Sequence, residues 1–347
     1  MNYERFEAMT ARYPRLRIGV VGDFCLDRYL EIDPARAEES IETGLPVYNI
    51  VNVRSQPGAA GTILSNLVAL GVGEIAIVGF CGEDGEGYEL ERALRGMAGV
   101  NLDGLVRTPH RHTFVYCKPL VMTPGHPPRE LNRLDTKNWS PTPTVLQREL
   151  ADHVTALARR VDALVLMDQV DQADTGVVTR LVYDAAHAAA RERAELLVLA
   201  DSRRGVRHLP PLGFKTNAAE FGELTPGRPL QDLPEIKAQS ATIARQNGQP
   251  VFVTLAERGI IGALADGRAE HVSAHPVRGP IDIVGAGDSV TANLIAALAA
   301  GAGLVESMEV AMAAASIVIH QLGTTGTASV AQVANLLFDP ETRRCPR

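Results

Sequence analysis

The sequence predicts an α/β protein with a doubly wound, mostly parallel sheet, helices on both faces and a small β-structured lid. Short apolar runs rich in β-forming residues alternate along the chain with longer segments of helical period. Strands that alternate with helices form largely parallel sheets that are covered on both faces. Two further strand-like runs interrupt this alternation, and they predict the lid.

The predicted elements of the main sheet follow one another in chain order. Buried strands are predicted at Leu16–Val21, Ile75–Phe80, Ala163–Met167, Leu196–Ala200 and Val251–Leu255. Helices are predicted at Thr62–Leu70, Glu86–Met97, Val145–Arg160, Thr175–Arg193 and Ile236–Gln246, and the alanine-rich stretch Asp288–Gln321 predicts two more packed helices. In open sheets of this kind, ligands bind at the loops that follow the carboxyl ends of the strands.

The lid is predicted from residues 28–56 and 113–122. Val47–Val53 alternates like a half-buried strand, and Thr113–Met122 has the composition of a second strand. Such a strand leaves an exposed edge, so we expect the lid to cover the ligand site and to be a candidate surface for pairing with a second subunit. The lid and the main sheet are expected to form one domain over residues 1–340.

Composition and charge exclude several classes of protein. The 347 residues are 46% hydrophobic with a formal net charge of −7, which argues against a nucleic-acid surface. The four cysteines have no metal-ligand spacing, and so few cysteines in a chain of this length argue against a disulfide framework, which is typical of a reducing cytoplasm. The longest weakly polar run, Ala292–Val305, is too short to span a bilayer. The sequence therefore predicts a soluble cytoplasmic protein without a nucleic-acid or membrane partner.

One segment, Asp282-Ile-Val-Gly-Ala-Gly-Asp288, carries the strongest chemical signal. Gly285, Ala286 and Gly287 predict a tight turn before a helix, where unpaired backbone N–H groups attract an anion. Asp288 would lie beside that anion, where it could take a proton from an attacking hydroxyl. The alternative is an ordinary turn followed by an acidic helix start. No Rossmann or P-loop motif occurs in the sequence, so those nucleotide-binding folds lose support.

Four motifs in order resemble those of the ribokinase-type (pfkB) carbohydrate kinases. They are Gly58–Gly71, Asn217-Ala-Ala-Glu220, Thr254–Gly259 and Asp282–Asp288. The resemblance extends roughly from Arg17 to Ser329. It implies a ribokinase-like fold and the transfer of the γ-phosphate of ATP to a sugar hydroxyl. It also implies a requirement for Mg²⁺, with a monovalent cation as a further candidate.

The resemblance implies a role for each candidate site residue. Asp288 would be the catalytic base, and Gly285, Ala286 and Gly287 would form the anion hole. The residues implied in sugar binding are Asp27, Gly58, Ala59, Thr62 and Asn66. Those implied in nucleotide binding are Asn217, Thr254, Glu257, Gly259 and Gly323. Glu220 would bind Mg²⁺ through water and phosphate oxygens, and Asp282 is a second candidate for the metal. Asn66 has a plain alternative, which is to cap or pack within its own helix.

The segments Gly22–Tyr29 and Arg133–Asp135 are most similar to the heptose-phosphate kinase branch, which makes heptose 7-phosphate a candidate acceptor. Departures from the family pattern lie on the sugar side. Ala59 stands in place of the second glycine of the N-terminal pair, Thr62 in place of a sugar-binding asparagine, and Arg203 in place of a lysine. Two alternatives stay open: a catalytically idle sugar- or nucleotide-binding protein on the same fold, and a nucleoside kinase.

Overall fold

The computed structural model describes residues 1–207, 209–224 and 232–339. Its strands are β1 (Arg17–Gly22), β2 (Phe24–Ile32), β3 (Glu38–Glu39), β4 (Pro46–Val47), β5 (Ile50–Ala59), β6 (Glu74–Gly82), β7 (Val100–Thr108), β8 (Phe114–Val121), β9 (Arg129–Glu130), β10 (Leu134–Thr136), β11 (Ala163–Asp168), β12 (Leu197–Ser202), β13 (Gly213–Asn217), β14 (Val251–Thr254), β15 (Ile260–Ala263) and β16 (Ala269–Val272).

The helices alternate with these strands, as the sequence predicted. They are α1 (Tyr3–Thr10), α2 (Ala60–Ala69), α3 (Gly85–Arg95), α4 (Thr144–Ala158), α5 (Arg180–Glu192), α6 (Ala218–Gly222), α7 (Leu233–Asn247), α8 (Ala286–Ala299), α9 (Leu304–Val318) and α10 (Val330–Phe338). Pro340, the last residue of the predicted domain, and Cys345 lie outside the described residues.

The main sheet has nine strands in the order β16-β15-β14-β13-β12-β11-β1-β6-β7. All neighbours are parallel except at one edge, where β15 runs antiparallel to both β14 and β16. The central strand β11 is buried along its whole length, because a strand inside a parallel sheet packs on both faces. The predicted doubly wound, mostly parallel sheet is confirmed.

Two groups of helices enclose the sheet. Helices α2 and α8 contact each other and pack against β1, β11 and β12. Helices α4 and α5 form a second contacting pair against β1, β6 and β12. The alanine-rich stretch forms α8 and α9, which pack closely on one another as predicted. This arrangement places the loops at the carboxyl ends of the strands along one edge of the protein.

A second, smaller sheet forms the lid. Its order is β10-β8-β2-β5, and β9 pairs with β8. The strand β2 follows β1 after a single residue, so the lid is continuous with the centre of the main sheet. The predicted lid segments therefore form strands, but the lid is larger than predicted, since β2 begins at Phe24, β5 extends to Ala59, and β10 was not expected.

The predicted helix at Thr175–Arg193 begins five residues late, at Arg180. The cause is the buried carboxylate of Asp23, which accepts hydrogen bonds from the backbone N–H groups of Gln169 at 2.8 Å and Val177 at 2.7 Å. A Cβ on Gly176 would lie 2.4 Å from an Asp23 oxygen, so the chain passes too close for a larger residue. This contact holds residues 169–177 as a loop beside the lid.

Two further properties of the described residues concern membrane-spanning helices and the state of the cysteines. No helix within the described ranges combines the length and the apolar character that crossing a bilayer requires. Cys25, Cys81 and Cys117 are buried free thiols.

Candidate active site

A cleft with a volume of ≈ 200 Å³ lies between the lid and the start of α8. It contains five of the residues predicted from the sequence: Asp27, Ala59, Thr62, Gly285 and Asp288. The other lining residues are Tyr116, Lys118, Arg133, Gln169, Arg203, Val284 and Thr325. The structure thus brings three of the five predicted sugar-binding residues, Asp27, Ala59 and Thr62, into one site with the predicted base.

Helix α8 begins at the cleft in the way that the sequence predicted. Gly285 precedes it with φ 79°, a left-handed conformation that favours glycine, and no side chain caps the helix. The first N–H groups of a helix have no partner within it, and the helix dipole makes this end positive. The backbone of Gly287 and Asp288 therefore offers an anion a site at the cleft, although the N–H of Ala286 is used by Ile283 O at 3.2 Å.

The pKa of Asp288 is raised to about 7. Burial is the main cause, and the negative charges of Asp201 and Asp27 act in the same direction, while Lys215 opposes them. Asp288 as a whole residue is partly exposed, and it lines the cleft. A base whose pKa lies near neutral pH is best matched to accept a proton under physiological conditions.

Lys215 is a charged residue at the site that the sequence analysis missed. Its ammonium group lies 2.6 Å from the Asp201 carboxylate and 3.3 Å from where a Cβ on Gly287 would be. Burial lowers the pKa of Lys215, but the charge and hydrogen bond of Asp201, together with the charges of Asp288 and Glu220, outweigh burial, and the pKa is raised. A fixed positive charge therefore lies beside the uncapped start of α8. The available signal in the sequence was a lysine two residues before Asn217, on the strand β13 that ends at Asn217.

Asp27 lies on β2, at the lid side of the cleft. Its side chain is almost fully buried, and burial raises its pKa, while the charges of Lys118 and Arg133 lower it. Gly58 lies opposite, and a Cβ there would come within 2.5 Å of an Asp27 oxygen. Gly58 therefore makes room for the carboxylate, and this accounts for its place in the motif without a direct ligand contact.

Ala59 has a strained backbone at the edge of the cleft. Its φ of 53° and ψ of −114° belong to a region that is accessible mainly to glycine. Conformations of this kind cost about 1–3 kcal/mol and persist only where the surroundings enforce them. Ala59 stands where the family pattern has a glycine, so this chain keeps an unfavourable methyl group at the entrance of α2.

Thr62 lies in the first turn of α2 and lines the same cleft. The side chain is 1% exposed, and its Oγ1 has no hydrogen-bond partner in the described part of the chain. Leaving a buried polar group unpaired costs about 1–3 kcal/mol. An unpaired buried hydroxyl at the wall of a cleft is suited to a ligand that completes its hydrogen bonds.

Asn66 lies away from the cleft. It is fully buried, and its Nδ2 donates to Thr62 O at 3.0 Å and to Gly326 O at 3.4 Å. This placement favours the alternative reading, in which Asn66 packs within α2 and ties the helix to the turn at residues 323–326.

Gln56 on lid strand β5 reaches the same turn. Its side chain donates to Thr325 Oγ1 and accepts from Thr324 Oγ1 at 3.2 Å. Gln56 therefore connects the lid to the core across the top of the cleft.

The Asn217-x-x-Glu220 motif forms a capping box at the start of α6. Asn217 Oδ1 accepts the N–H of Glu220 at 3.0 Å, and Glu220 Oε2 accepts the N–H of Asn217 at 3.1 Å. Glu220 Oε2 also accepts from Thr216 Oγ1 at 2.7 Å. The motif thus fixes its own geometry at the carboxyl end of β13, two residues beyond Lys215. Thr254 pairs with Asn217 on the neighbouring strand β14.

The remaining predicted nucleotide-binding residues lie in two turns. Glu257 is exposed in the turn between β14 and β15, and Gly259 closes that turn with φ 96°. Gly323 donates its N–H to Asp282 Oδ2 at 3.3 Å, and Asp282 Oδ1 accepts from Val284 N at 3.0 Å. Both Asp282 oxygens thus accept hydrogen bonds from backbone N–H groups, so the Asp282 side chain stabilises the turn before α8.

The acidic residues do not form a metal cage on their own. Within the described ranges, no group of three or more His, Cys, Asp or Glu side chains could hold a metal ion. A magnesium ion that keeps several waters and binds through phosphate oxygens needs only one or two carboxylates. The site therefore fits a metal that arrives with a nucleotide, with Glu220 in its outer shell, and it does not fit a metal held by protein alone.

Comparisons with known proteins show the family to which this chain belongs. The model of the pfkB family carbohydrate kinases matches residues 24–331. The chain is 30% identical to the bifunctional protein HldE of Bradyrhizobium sp. (strain ORS 278), over 93% of this chain and 64% of that protein. It is 32% identical to the bifunctional protein HldE of Gluconacetobacter diazotrophicus, over 90% of this chain and 62% of that protein. The chain thus spans less than two thirds of the length of these curated relatives.

Solved structures share the fold. A ribokinase of Arabidopsis thaliana, complexed with ribose and ATP, superposes with a TM-score of 0.66 at 20% identity, covering 93% of this chain and 99% of that one. Phosphofructokinase-2 of Escherichia coli superposes with a TM-score of 0.67 at 18% identity, covering 92% of this chain and 96% of that one. The predicted ribokinase-like fold is confirmed, and so is the predicted family, whose members are phosphotransferases with an alcohol group as acceptor. This chain belongs to the pfkB family of carbohydrate kinases.

Proposed function

We propose that this chain transfers the γ-phosphate of ATP to a hydroxyl of a phosphorylated sugar. The observation that carries the proposal is the position of Asp288, a carboxyl group with a pKa near 7 between an uncapped helix start and the acceptor cleft. Lys215 and the N–H groups of α8 suit the transferring phosphate. Asp27 and the unpaired Thr62 hydroxyl suit a sugar.

The charges of the cleft favour an acceptor that already carries a phosphate. Lys118, Arg133 and Arg203 all line the acceptor side. Arg133 and Arg203 have carboxylate partners, Asp135 and Asp171, while Lys118 lies over the Tyr29 ring, 5.1 Å from its centroid. Cations of this kind bind phosphate monoesters. Heptose 7-phosphate, the acceptor suggested by the resemblance to the heptose-phosphate kinase branch, is our first candidate.

In the proposed reaction, Asp288 accepts the proton of the acceptor hydroxyl as its oxygen attacks the γ-phosphorus in line. A new O–P bond forms, the bond between the γ-phosphorus and the bridging oxygen breaks, and ADP leaves with that oxygen. Lys215 and the N–H groups of Gly287 and Asp288 stabilise the charge on the transferring group. Asn217 and Thr254 border the nucleotide. Magnesium, when bound, neutralises charge on the phosphates.

The lid would close the cleft to water and so limit hydrolysis of ATP. Lid strand β5 has one edge that pairs with no other strand within residues 1–207, 209–224 and 232–339, and Ile50, Val51 and Val53 on it are exposed apolar residues. We propose that a second copy of the chain covers this edge. The free thiols of Cys25, Cys81 and Cys117 support the cytoplasmic location expected from the sequence.

The proposal is tested by measuring ADP release with a panel of sugars and sugar phosphates that includes heptose 7-phosphate. We expect release with at least one sugar phosphate and a lower KM for phosphorylated than for plain sugars. A nucleoside as the preferred acceptor would replace the proposal with nucleoside kinase activity. No release with any acceptor, despite measurable ATP binding, would favour a catalytically idle binding protein.

Activity is expected to require a divalent metal, because the phosphate charges of ATP repel the attacking hydroxyl unless they are neutralised. Addition of excess EDTA should abolish ADP release, and excess Mg²⁺ should restore it. Since the described acidic residues form no cage, the free protein should melt at the same temperature with and without the chelator. Full turnover after chelation would contradict the metal requirement.

Replacing Thr62 by Val should weaken the binding of the acceptor while it stabilises the free protein. The change removes a buried hydroxyl that has no partner, so the free protein should gain stability by about 1 kcal/mol. The KM of the acceptor should rise about tenfold, with the KM of ATP nearly unchanged, because the sugar loses a hydrogen bond. Thr179→Val is the matched control, since Thr179 is also buried with an unpaired hydroxyl but does not line the cleft. An unchanged acceptor KM in Thr62→Val would place Thr62 outside the sugar site.

A further inference from the structure

Beside the acceptor cleft lies an aromatic surface that the proposed reaction does not use. It is formed by Phe114, Tyr116 and Trp139 around a shallow cavity of ≈ 20 Å³. Trp139 is the one tryptophan of the chain, and its side chain is 67% exposed. Tyr116 and Gln169 line both this surface and the acceptor cleft, so the two are continuous.

The segment that presents Trp139 is held rigidly. The Asn138 side chain exchanges two hydrogen bonds with the backbone of His112, at 3.0 and 2.9 Å. The guanidinium of Arg111 donates to Ser140 O at 2.9 Å and to Thr175 O at 2.7 Å. A buried arginine and a fully bonded asparagine therefore fix the backbone on both sides of an exposed indole. An exposed aromatic side chain on a fixed backbone beside a binding cleft offers a ligand a large contact area without the cost of ordering the backbone.

The charges around the cleft and the aromatic surface favour a ligand with one anionic part and one uncharged part. Lys137 pairs with Asp171 at 2.6 Å, and Asp171 also pairs with Arg203 at 2.8 Å, so the charges beside Trp139 are largely compensated. The cations Lys118 and Arg133 lie in the acceptor cleft itself. An anionic group therefore belongs in the cleft and an uncharged group on the aromatic surface. The cavity has room for about one water molecule, so a ring would rest on the indole with one polar group reaching inward.

We propose that Trp139, Tyr116 and Gln169 form a second carbohydrate subsite, and that the acceptor extends beyond the ring that is phosphorylated. The occupant is an uncharged sugar unit whose apolar C–H face stacks on the indole, as in a disaccharide phosphate. This inference rests on the proposed function for the identity of the neighbouring cleft. It places the extension on the acceptor side, since Lys215, Asn217 and Thr254 mark the nucleotide side elsewhere.

Because Trp139 is the one tryptophan, the fluorescence of the whole chain reports directly on this subsite. Trehalose 6-phosphate and other disaccharide phosphates should change the emission in a saturable way, while glucose 6-phosphate and heptose 7-phosphate should bind with much smaller changes. Trp139→Ala should raise the KM of disaccharide phosphates about five- to tenfold and leave the KM of single-ring acceptors and of ATP within twofold. Trp139→Phe should retain most of the affinity. Tyr88→Ala, which removes another exposed aromatic side chain on α3, should change none of these values.

The subsite is overturned if no disaccharide phosphate changes the emission, or if Trp139→Ala weakens single-ring and two-ring acceptors equally. A saturable change produced by nucleosides but not by sugars would also overturn it. The measurement separates this inference from the proposed function. If the emission changes but no acceptor leads to ADP release, the subsite is supported and the proposed kinase reaction is rejected. If single-ring acceptors alone lead to ADP release, the kinase reaction is supported and the subsite is rejected.

Discussion

Replacing Asp288 by Asn should lower turnover by about 10²–10⁴-fold, the usual contribution of a general base. Asn keeps the size and polarity of the side chain, so α8 and its turn should fold as before. ATP and the acceptor should still bind, because Lys215 and the N–H groups of α8 are unchanged. Turnover and ATP affinity are measured on folded mutant protein. A fall of less than tenfold would mean that Asp288 only begins the helix.

The pH dependence of the same pair of proteins provides a second test. Asp288 must be ionised to accept a proton, so the turnover of the unmodified enzyme should rise with pH and level off above about 7. The residual turnover of Asp288→Asn should lack this rise. A carboxyl group with a raised pKa binds more protons in the folded than in the unfolded state, from its ordinary pKa of 3.8 up to about 7. Its contribution to stability therefore falls as pH rises through this range, and the stability of the Asn variant relative to the parent should rise.

Replacing Lys215 by Met should harm both folding and catalysis. Lys215 and Asp201 form an ion pair at 2.6 Å in which both side chains are largely buried. Removing one partner of a buried pair leaves a charge without compensation and costs about 3–5 kcal/mol of stability. Turnover should also fall by about 10²–10³-fold, the cost of removing one group that stabilises charge in a transition state.

The double variant Lys215→Met with Asp201→Asn separates these two effects. Without the Asp201 charge, the loss of Lys215 no longer leaves the Asp201 carboxylate uncompensated, so most of the lost stability should return. Thr291 Oγ1, which donates to Asp201 Oδ2 at 3.0 Å, can still donate to the amide oxygen of Asn. Turnover should stay low, because the cation beside the transferring phosphate is still missing. Recovery of both stability and turnover would limit Lys215 to a structural role. Urea unfolding and ADP release measure the two quantities independently.

The main sheet and its covering helices could be predicted from the sequence because their signal is local. Runs such as Ala163–Met167 are apolar throughout, and the helices between them have clear period and length. The start of α5 could not be predicted, since it depends on Asp23, which lies more than 150 residues away and captures the N–H of Val177. Strand β13 was also missed, because Lys215 and Thr216 interrupt the apolar pattern while the fold supplies the partner Asp201.

The candidate site was predictable where residues form a continuous motif, and not where several loops meet. The segment Gly285–Asp288 forms the expected turn and helix start. The sequence could not place Gln169 or Trp139 near the cleft, because each is held there by contacts between segments distant in sequence. It also could not show that Asn66 faces the turn at residues 323–326, since one face of an apolar helix looks like another until its neighbours are known.

The two hydrogen bonds of Gln56 are contacts that must break if lid strand β5 moves away from the turn at residues 323–326. Each bond contributes about 0.5–1.5 kcal/mol net, so releasing both costs about 1–3 kcal/mol. If Gln56 were the only tie to Thr324 and Thr325, roughly one molecule in 5 to one in 150 would be open at any moment. Under that condition, thermal fluctuation alone would open the lid, and no ligand would be needed to break these bonds. The acceptor then enters a small open population, and its apparent affinity is reduced by that fraction.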